Sequence, residues 1–282
     1  MRIANVDGRA VLVVGPSTVA DLAGISDGRF GPDVQPLYGK WGELREFVAT
    51  LDVPRLPVRE VAATDFGNPV PEPRQVFAIG LNYAGHAAES SFAVPESPAV
   101  FTKFVTCLAG PTGEVVLPDG EVDWEVELVV VVGERAEGVT AERAWKHVAG
   151  VTAGQDISER VLQRVGPAPQ FSLAKSYPGF GPMGPAVVTP DEFDDPDAIE
   201  LGCLVNGEKV QEGSTKDLVF SVPQLIERLS AVTPLLPGDV IFTGTPAGVG
   251  LGRKPPRFLN PGDELVTYVT GVGEMRHVMV AS

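Results

Sequence analysis

Glycine and proline recur at short intervals along the whole chain, and this limits the length of any helix. The 282 residues include 32 glycines and 26 prolines, about a fifth of the total, which stays below the share that indicates disorder. Proline breaks helices and glycine favours turns. Since the apolar runs between them are short and rich in β-branched residues, the sequence predicts many strands and few long helices.

The predicted elements give an α+β fold class that is dominated by β structure. Helices are predicted at residues 41–48, after Thr140 as a candidate cap, and at residues 222–229. Strands are predicted at residues 10–14, 76–79, 99–104, 124–132, 199–205, 240–243 and 265–270. Two long irregular segments, residues 166–185 and 244–261, are candidate positions for functional loops.

A proline-rich segment divides the chain. Three prolines lie between residues 69 and 73 and favour an extended connector. We therefore predict a small N-terminal α/β domain over residues 1–68 and a larger β-rich domain over residues 69–282. Because a domain as small as the first buries little apolar surface, we expect it to pack against the second.

The charge of the chain excludes several classes of protein. The net charge is −15 and the isoelectric point is near 4.6, with no basic cluster of the kind that nucleic-acid binding needs. No uncharged apolar stretch is long enough to span a membrane, and the first residues lack the apolar core of a signal peptide. The two cysteines, Cys107 and Cys203, form no disulfide framework. We expect a cytoplasmic protein without a nucleic-acid or membrane partner.

Glu125 and Glu127 stand at the start of a strongly apolar run. On a strand, side chains two residues apart point to the same face. Two carboxylates beside a core are costly unless a positive charge lies between them, and a divalent cation meets that need. Oxygen ligands select Mg²⁺, Mn²⁺ or Ca²⁺ over zinc. The alternative is an edge strand whose solvated face carries both acids.

A third carboxylate, Asp156, follows the short predicted strand at residues 150–155. It offers another metal ligand, or it caps the turn that comes next. Three carboxylates around one cation leave about three positions of an octahedron open. A chelating oxo acid can fill two of them.

His86 and Glu89 are separated by three residues after a predicted strand. On a helical turn such side chains meet, and a carboxylate beside an imidazole fixes its tautomer and supports it as a general base. The alternative for His86 is a surface histidine on a loop. For His147 and His277 we expect no catalytic role.

Two further segments carry polar groups. Lys175 can hold a substrate carboxylate or sit beside a metal, unless it is simply an exposed lysine. The segment 243–250 offers hydroxyls and backbone N–H groups to an anion. It lacks the Gly-Lys-[Ser/Thr] of a phosphate-binding loop and the glycine pattern of dinucleotide binding.

Six short motifs follow one another along the chain. They are Gly-Leu-Asn-Tyr-x-x-His-x-x-Glu (80–89), Phe-Thr-Lys (101–103), Asp-Trp-Glu-Val-Glu (123–127), Gln-Asp-Ile-Ser (155–158), Lys-Ser-Tyr (175–177) and Thr-Gly-Thr-Pro (243–246). In kind and order they resemble the fumarylacetoacetate hydrolase family. The resemblance covers residues 74–282, and residues 1–65 look like the variable N-terminal domain of many members.

The resemblance implies a catalytic domain with a mixed β-sandwich roll, which is usually dimeric. It implies Mg²⁺ or Mn²⁺ held by matched ligands, with Ca²⁺ as another ion that the site can bind. It also implies that a histidine oriented by a glutamate activates water, beside a lysine that steadies negative charge. The residues that match are Glu125, Glu127 and Asp156 for the metal, His86, Glu89 and Lys175 for catalysis, and Tyr83, Arg160, Gln163 and Thr245 for the substrate.

The reaction that the resemblance implies is metal-dependent hydrolysis of the C–C bond in acylpyruvate-type or fumarylpyruvate-type 2,4-dioxo acids, a chemistry of aromatic catabolism. Such cleavage needs a metal as electron sink and a base that delivers hydroxide. The alternatives are decarboxylation of oxaloacetate, isomerisation or hydration of a hydroxy-dienoate, and a non-catalytic binding protein.

Two departures from the family pattern leave the substrate open. Where many members have Lys-Pro-Ser, this chain has Lys103-Phe104-Val105. Where many have Phe-Asp-Thr after Lys-Ser, it has Tyr177-Pro178-Gly179, which removes an acid and a hydroxyl. The predicted metal ligands and the His86–Glu89 pair are untouched, so we expect catalysis to be retained.

Overall fold

A computed structural model describes residues 1–89 and 93–282 and shows a fold dominated by strands. The strands are β1 (Arg2–Val6), β2 (Arg9–Gly15), β3 (Thr18–Asp21), β4 (Arg59–Glu60), β5 (Phe66–Gly67), β6 (Val76–Gly80), β7 (Ala99–Thr102), β8 (Leu108–Ala109), β9 (Thr112–Leu117), β10 (Val122–Asp123), β11 (Val126–Val132), β12 (Val148–Gln155), β13 (Ser158–Glu159), β14 (Gly181–Val188), β15 (Glu200–Val205), β16 (Glu208–Ser214), β17 (Val240–Phe242), β18 (Glu264–Val269) and β19 (Gly273–Ala281). The predicted strands are all present, and their ends are shifted by at most two residues.

The helices are short, as the spacing of glycine and proline predicts. The α-helices are α1 (Leu22–Ile25), α2 (Trp41–Ala49), α3 (Ala84–Glu89), α4 (Arg160–Gln163), α5 (Phe171–Ala174) and α6 (Val222–Ser230). The 3-10 helices are Gln35–Lys40, Val53–Arg55, Ala63–Asp65, Val105–Cys107, Ala141–His147, Pro190–Glu192 and Thr215–Asp217. The helix predicted after Thr140 is therefore a 3-10 helix. In the described ranges, no helix has the length and apolarity to cross a membrane.

The larger sheet has β11 in its interior. Its main path runs β4-β3-β2-β1-β14-β12-β11-β17-β6-β7. Strand β11 pairs antiparallel with β12 and β17, and β17 pairs parallel with β6. Every residue of β11 is buried, because both faces of the strand are covered. The alternative of a solvated edge strand for Glu125 and Glu127 is therefore wrong.

The second sheet packs on one face of the first. It has the order β16-β15-β18-β19-β9, with β19 and β9 parallel and its other pairs antiparallel. A single apolar core joins Leu128 and Val130 of β11 to Leu201 of β15, Leu265 of β18 and Met275 of β19. Side chains alternate along a strand, so Val129 and Val131 face the other way. The predicted β-dominated α+β class with a mixed β-sandwich is confirmed.

The N-terminal segment extends the larger sheet. Strand β1 pairs antiparallel with β14, with Arg2 opposite Val188. The opposite face of β11 completes the contact, since Val129 shares an apolar core with Leu12 and Trp41. The expected packing of this segment against the rest is therefore observed. The division into domains 1–68 and 69–282 stays a prediction.

Candidate active site

Three carboxylates meet where β11 begins and β12 ends. Val126 of β11 pairs with Gln155 of β12, so Glu125 and Glu127 lie beside Asp156, the residue that follows β12. Their carboxylate oxygens lie within 4.8 Å of one another, and all three residues are buried. The predicted acids are brought together by the antiparallel pairing of two strands.

Asp156 does not cap the following helix, so that alternative is wrong. Helix α4 is capped by Glu159, whose carboxylate accepts hydrogen bonds from the backbone N–H groups of Val161 (2.9 Å) and Leu162 (2.6 Å). The carboxylate of Asp156 accepts from lysines instead, and it points into the acidic cluster.

Two buried lysines neutralise part of the cluster. Lys175 Nζ lies 2.6 Å from Glu125 Oε2 and 2.7 Å from Asp156 Oδ2. Lys103 Nζ lies 2.6 Å from Asp156 Oδ1 and also donates to the backbone carbonyls of Lys175 and Phe180. Lys175 is 3 % exposed, so the alternative of an exposed lysine is wrong. The departure at residues 177–179 leaves Lys175 inside the site.

Arg160 supplies the third positive charge. Its Nε donates to Asp123 Oδ2 at 2.9 Å, and its guanidinium lies 2.7 Å from Glu125 Oε1. Asp123 also accepts from the backbone N–H of Gly250 at 2.7 Å, so it ties Arg160 to the loop over the site. Arg160 NH1 donates to Gln163 Oε1 at 3.0 Å.

The buried charges of the site do not balance. Burial raises the pKa of Glu127 well above its usual range, and the nearby charges of Asp156 and Glu125 raise it further. Glu125 is also buried, but Lys175 and Arg160 outweigh that effect and lower its pKa to about 2. Within the described part of the chain, Glu127 is the one acid of this cluster that forms no ion pair with a basic side chain. The four acids are Asp123, Glu125, Glu127 and Asp156, and the three bases are Lys103, Arg160 and Lys175.

The donor set therefore fits a hard divalent cation. It offers three converging carboxylates and one carboxylate charge in excess, and oxygen ligands suit Mg²⁺ or Mn²⁺. Glu127 Oε2 already accepts a hydrogen bond from the backbone N–H of Gly244 at 2.7 Å, which fixes its position.

His86 and Glu89 form the predicted pair on α3. His86 Nδ1 lies 2.9 Å from Glu89 Oε1. Because an ionised carboxylate only accepts, Nδ1 carries the hydrogen and Nε2 remains as the acceptor. Glu89 Oε2 accepts from the backbone N–H of Gly248 at 2.9 Å. His86 is 7 % exposed, so the alternative of a surface histidine is wrong.

Glu125, Glu127 and His86 face one cavity of about 390 Å³, and Asp156 lies behind its wall. Its polar wall carries His86, Glu89, Glu125, Glu127, Arg160, Gln163, Arg164, Lys175 and Thr245, and its apolar wall includes Ile79, Leu81, Phe101, Pro169, Phe171 and Leu251. Phe101 and Phe171 pack edge to face with their ring centroids 5.5 Å apart. The cavity joins an anion-attracting wall to an apolar one, which suits a small carboxylic acid.

Tyr83 is the predicted substrate residue that does not line this cavity. Its side chain is 3 % exposed, and its hydroxyl has no hydrogen-bond partner in the parts of the chain that are described. Its contact with a substrate stays a prediction. The other two histidines bond to backbone carbonyls, His147 to Arg135 and His277 to Gly110. Their expected lack of a catalytic role stays a prediction.

The sequence analysis did not assign Lys103, Asp123 or Arg164 to the site. Lys103 and Asp123 lie in two of the six motifs, Phe-Thr-Lys and Asp-Trp-Glu-Val-Glu. A charged residue at the end of an apolar strand is the available signal for both, since burial makes such charges costly unless they are paired. Arg164 carries no such signal, because its partner Glu121, at 2.7 Å, is distant in sequence.

The family model of the fumarylacetoacetate (FAA) hydrolase C-terminal domain matches residues 75–280. The chain belongs to the fumarylacetoacetate hydrolase family. The predicted resemblance is therefore confirmed over the whole region in which the six motifs lie.

Members of this family with related sequences carry different activities in their names. Human mitochondrial oxaloacetate tautomerase FAHD2A is 43% identical over 238 residues, which are 82% of this chain and 76% of the relative. Among solved structures, a Mycobacterium smegmatis protein provisionally described as HpcE has a TM-score of 0.95 and 55% identity over 100% of both chains. Maleylpyruvate hydrolase from Sphingobium sp. SYK-6, solved with manganese(II) and pyruvate, has a TM-score of 0.82 and 32% identity over 100% of both chains.

Proposed function

We propose that this protein is a divalent-metal-dependent enzyme that moves a proton at the carbon beside the ketone of a small 2-oxo acid. Tautomerisation of oxaloacetate is the first candidate reaction. The observation that carries the proposal is one cavity in which a histidine held by a glutamate shares the wall with Glu125 and Glu127, two of the three converging carboxylates.

Glu125, Glu127 and Asp156 would hold the metal, Mn²⁺ or Mg²⁺. The excess carboxylate charge of the site supports this assignment, as does the manganese(II) of the related hydrolase structure. When bound, the metal supplies a Lewis acid that withdraws electrons from the 2-oxo group and so acidifies the neighbouring carbon.

His86 takes and returns the proton. Its Nε2 is the free acceptor, because Nδ1 donates to Glu89. Glu89 is held in turn by Gly248, so the imidazole keeps one tautomer and one direction. Transfer of a proton from C3 to the oxygen at C2 gives the enol, and the reverse transfer, from the enol oxygen to C3, gives the ketone, with no water consumed.

Positive side chains hold the anion. Arg160 faces the cavity and is anchored on Asp123, and Lys175 stands between two of the metal-site acids. Burial would lower the pKa of Lys175, but Asp156 and Glu125 outweigh it and raise the pKa. Lys175 therefore remains an ammonium group that attracts developing negative charge, and we do not assign it the role of a base.

Tautomerisation of oxaloacetate is the first candidate reaction because the human relative at 43% identity is named for it. Hydrolysis of 2,4-dioxo acids, the reaction expected from the sequence, is the second candidate. It is supported by the likeness to maleylpyruvate hydrolase and by a histidine–glutamate pair that can also deprotonate water. Both reactions use the same base and the same bound oxo acid.

The test follows the decay of the oxaloacetate enol by ultraviolet absorbance, with Mn²⁺ and with EDTA. We expect metal-dependent acceleration that falls by ~10²–10⁴-fold in His86→Gln, the usual contribution of a positioned general base. The matched control is His147→Gln, a half-buried histidine at the end of the 3-10 helix Ala141–His147 and outside the cavity. Near-normal turnover in His86→Gln, with the metal bound, would reject the role of this residue.

The second candidate is tested on acetylpyruvate and fumarylpyruvate with a coupled assay for pyruvate. Pyruvate release from these acids, without acceleration of oxaloacetate tautomerisation, would replace the first candidate by C–C hydrolysis. Release of carbon dioxide from oxaloacetate would indicate decarboxylation instead. Conversion of none of these acids, nor of a hydroxy-dienoate, would favour a non-catalytic protein.

The remaining expectations stay predictions. The human relative is named as mitochondrial, so the cytoplasmic location of this chain is untested. The homodimer and a role in aromatic catabolism are also predictions.

A further inference from the structure

Two buried glutamines hold the backbone on which the metal-site acids stand. Gln155, the last residue of β12, accepts a hydrogen bond at Oε1 from the backbone N–H of Glu125 at 2.9 Å. Gln211, on β16 of the second sheet, accepts at Oε1 from the backbone N–H of Val126 at 2.9 Å. They are 0 % and 2 % exposed. The two amides make equivalent contacts with adjacent residues of one segment.

The Nε2 groups of the two glutamines have different hydrogen-bond partners. Gln211 Nε2 donates to Thr245 Oγ1 at 2.8 Å and to the backbone carbonyl of Pro246 at 2.7 Å. Gln155 Nε2 donates to Thr267 Oγ1 at 3.0 Å. Thr245 lines the cavity and Thr267 does not. Only Gln211 therefore connects the metal-site segment to a hydroxyl that faces the ligand.

The orientation of the Gln211 amide follows from its partners. A backbone N–H only donates and a backbone carbonyl only accepts, so Oε1 must meet Val126 and Nε2 must meet Pro246. Thr245 Oγ1 then receives a hydrogen bond from Nε2. The single hydroxyl hydrogen of Thr245 is not used in that contact, and it is available to an acceptor in the cavity.

We propose that Gln211 is a positioning residue that makes the Thr245 hydroxyl a hydrogen-bond donor to the carboxylate of the bound acid. This inference rests on the proposed function, because it takes an anionic substrate as the ligand. Gln211 acts through Thr245 and touches no reacting atom. The second sheet thus takes part in the site through one amide that joins the Thr245 hydroxyl to the backbone segment of the metal-site acids.

The test replaces each glutamine by glutamate. Gln211→Glu keeps the acceptor for Val126 but replaces the N–H donor by an oxygen, so the Thr245 hydroxyl turns to donate to the new carboxylate and away from the cavity. Gln155→Glu is the matched control. It adds the same buried group beside the same segment and breaks only the contact with Thr267. The difference between the two variants therefore reports the loss of the donor to Thr245 and Pro246, and a cycle with Thr245→Val separates these two contacts.

The readouts are the Kd of oxalate for the Mn²⁺-loaded protein, the KM and kcat for oxaloacetate, and the Kd of Mn²⁺ itself. We expect Gln211→Glu to weaken oxalate binding and to raise KM by about tenfold relative to Gln155→Glu, which corresponds to ~1.4 kcal/mol. We expect kcat to change little, since a contact made equally in ground and transition states acts on KM. The Kd of Mn²⁺ should be the same in both variants.

A double-mutant cycle with Thr245→Val decides whether Gln211 acts through that hydroxyl. If it does, Gln211→Glu adds little to the loss already caused by Thr245→Val, because the two changes remove one interaction. Additive losses, or a weaker affinity for Mn²⁺ in Gln211→Glu than in Gln155→Glu, would overturn the inference in favour of a purely structural role.

The outcome also separates this inference from the proposed function. If the wild-type protein binds oxalate but converts no oxo acid, the proposed reaction is wrong. The oxalate Kd values of Gln211→Glu and Gln155→Glu then still show whether Gln211 positions Thr245. If it turns over oxaloacetate and Gln211→Glu matches Gln155→Glu, only the inference on Gln211 is wrong. A protein that binds no oxalate with Mn²⁺ present would overturn both.

Discussion

Replacing Glu125 and Glu127 by glutamine makes the same chemical change at two neighbouring positions, and the structure predicts opposite effects on the metal-free protein. Glu125 is paired with Lys175 and Arg160. Glu127 faces Glu125 and Asp156, and in the described residues it has no ion pair of its own. One substitution therefore breaks favourable pairs, and the other removes a repulsion.

The magnitude follows from the distance between the acids. Two unit charges no more than 4.8 Å apart repel by at least ~3.5 kcal/mol at an effective dielectric constant of about 20. The penalty is limited by proton uptake. Bringing an acid with a usual pKa of 4.5 into its protonated form at pH 7 costs ~3.4 kcal/mol, at 1.36 kcal/mol per unit. We therefore expect Glu127→Gln to raise the free energy of unfolding by about 2–3 kcal/mol.

Glu125→Gln should lower the free energy of unfolding by ~3–5 kcal/mol, because each of the buried cations Lys175 and Arg160 loses one of its two carboxylate partners. The pH dependence separates the two acids as well. The raised pKa of Glu127 means that its penalty appears as the pH rises above about 4.5. The lowered pKa of Glu125, about 2, means that its contribution is lost as the pH falls from about 4.5 towards 2.

The assay is guanidinium unfolding of EDTA-treated protein at several pH values, together with calorimetric titration of Mn²⁺. Both variants should lose at least ~10²-fold in affinity for Mn²⁺, since each removes a charged ligand. A Glu127→Gln variant that is less stable than the wild type without metal, or that binds Mn²⁺ normally, would refute the assignment of the excess charge to this residue.

Three further predictions concern residues outside that pair. Lys103→Met should lower the free energy of unfolding by ~3–5 kcal/mol by leaving Asp156 without one partner, and saturating Mn²⁺ should restore part of it; unchanged denaturation midpoints would contradict this. Burial lowers the pKa of His277, so the free energy of unfolding of the wild type should fall as the pH drops below about 6.5, by up to ~1.4 kcal/mol per pH unit. In urea titrations at several pH values, His277→Gln should abolish this pH dependence. Gly250→Ala should cost ~2 kcal/mol or more, because the new Cβ would lie 1.8 Å from the carbonyl oxygen of Arg257; thermal unfolding measures this, and a wild-type midpoint would exclude the clash.

Much of the site could be predicted because the signals are local in sequence. The spacing of Glu125 and Glu127 places both on one face of a strand, and the spacing of His86 and Glu89 suits one helical turn. The structure shows both arrangements. The helical spacing at residues 41–48 and 222–229 was likewise sufficient to locate α2 and α6.

The partners of these residues could not be predicted in the same way. Lys103 reaches Asp156 across 53 residues, and Gln211 reaches Val126 across 85. No periodicity in a sequence encodes which strands become neighbours, since pairing depends on how whole sheets pack. The helix expected after Thr140 became a 3-10 helix in that same tertiary setting.

By itself, the sequence determined that the chain forms strands separated by glycine and proline and that its net charge is negative. It also determined which acids and which histidine have the spacing of a strand face or a helical turn. Only the tertiary structure decided that β11 is interior, that the acids converge, and that one carboxylate charge exceeds the cations around it. The physical reason is that the burial of a side chain and the charge balance around it depend on all of its neighbours in the fold, most of which are distant in sequence. Those groups lie on or next to β7, β10, β11, β12, α4 and α5, and folding alone brings them together.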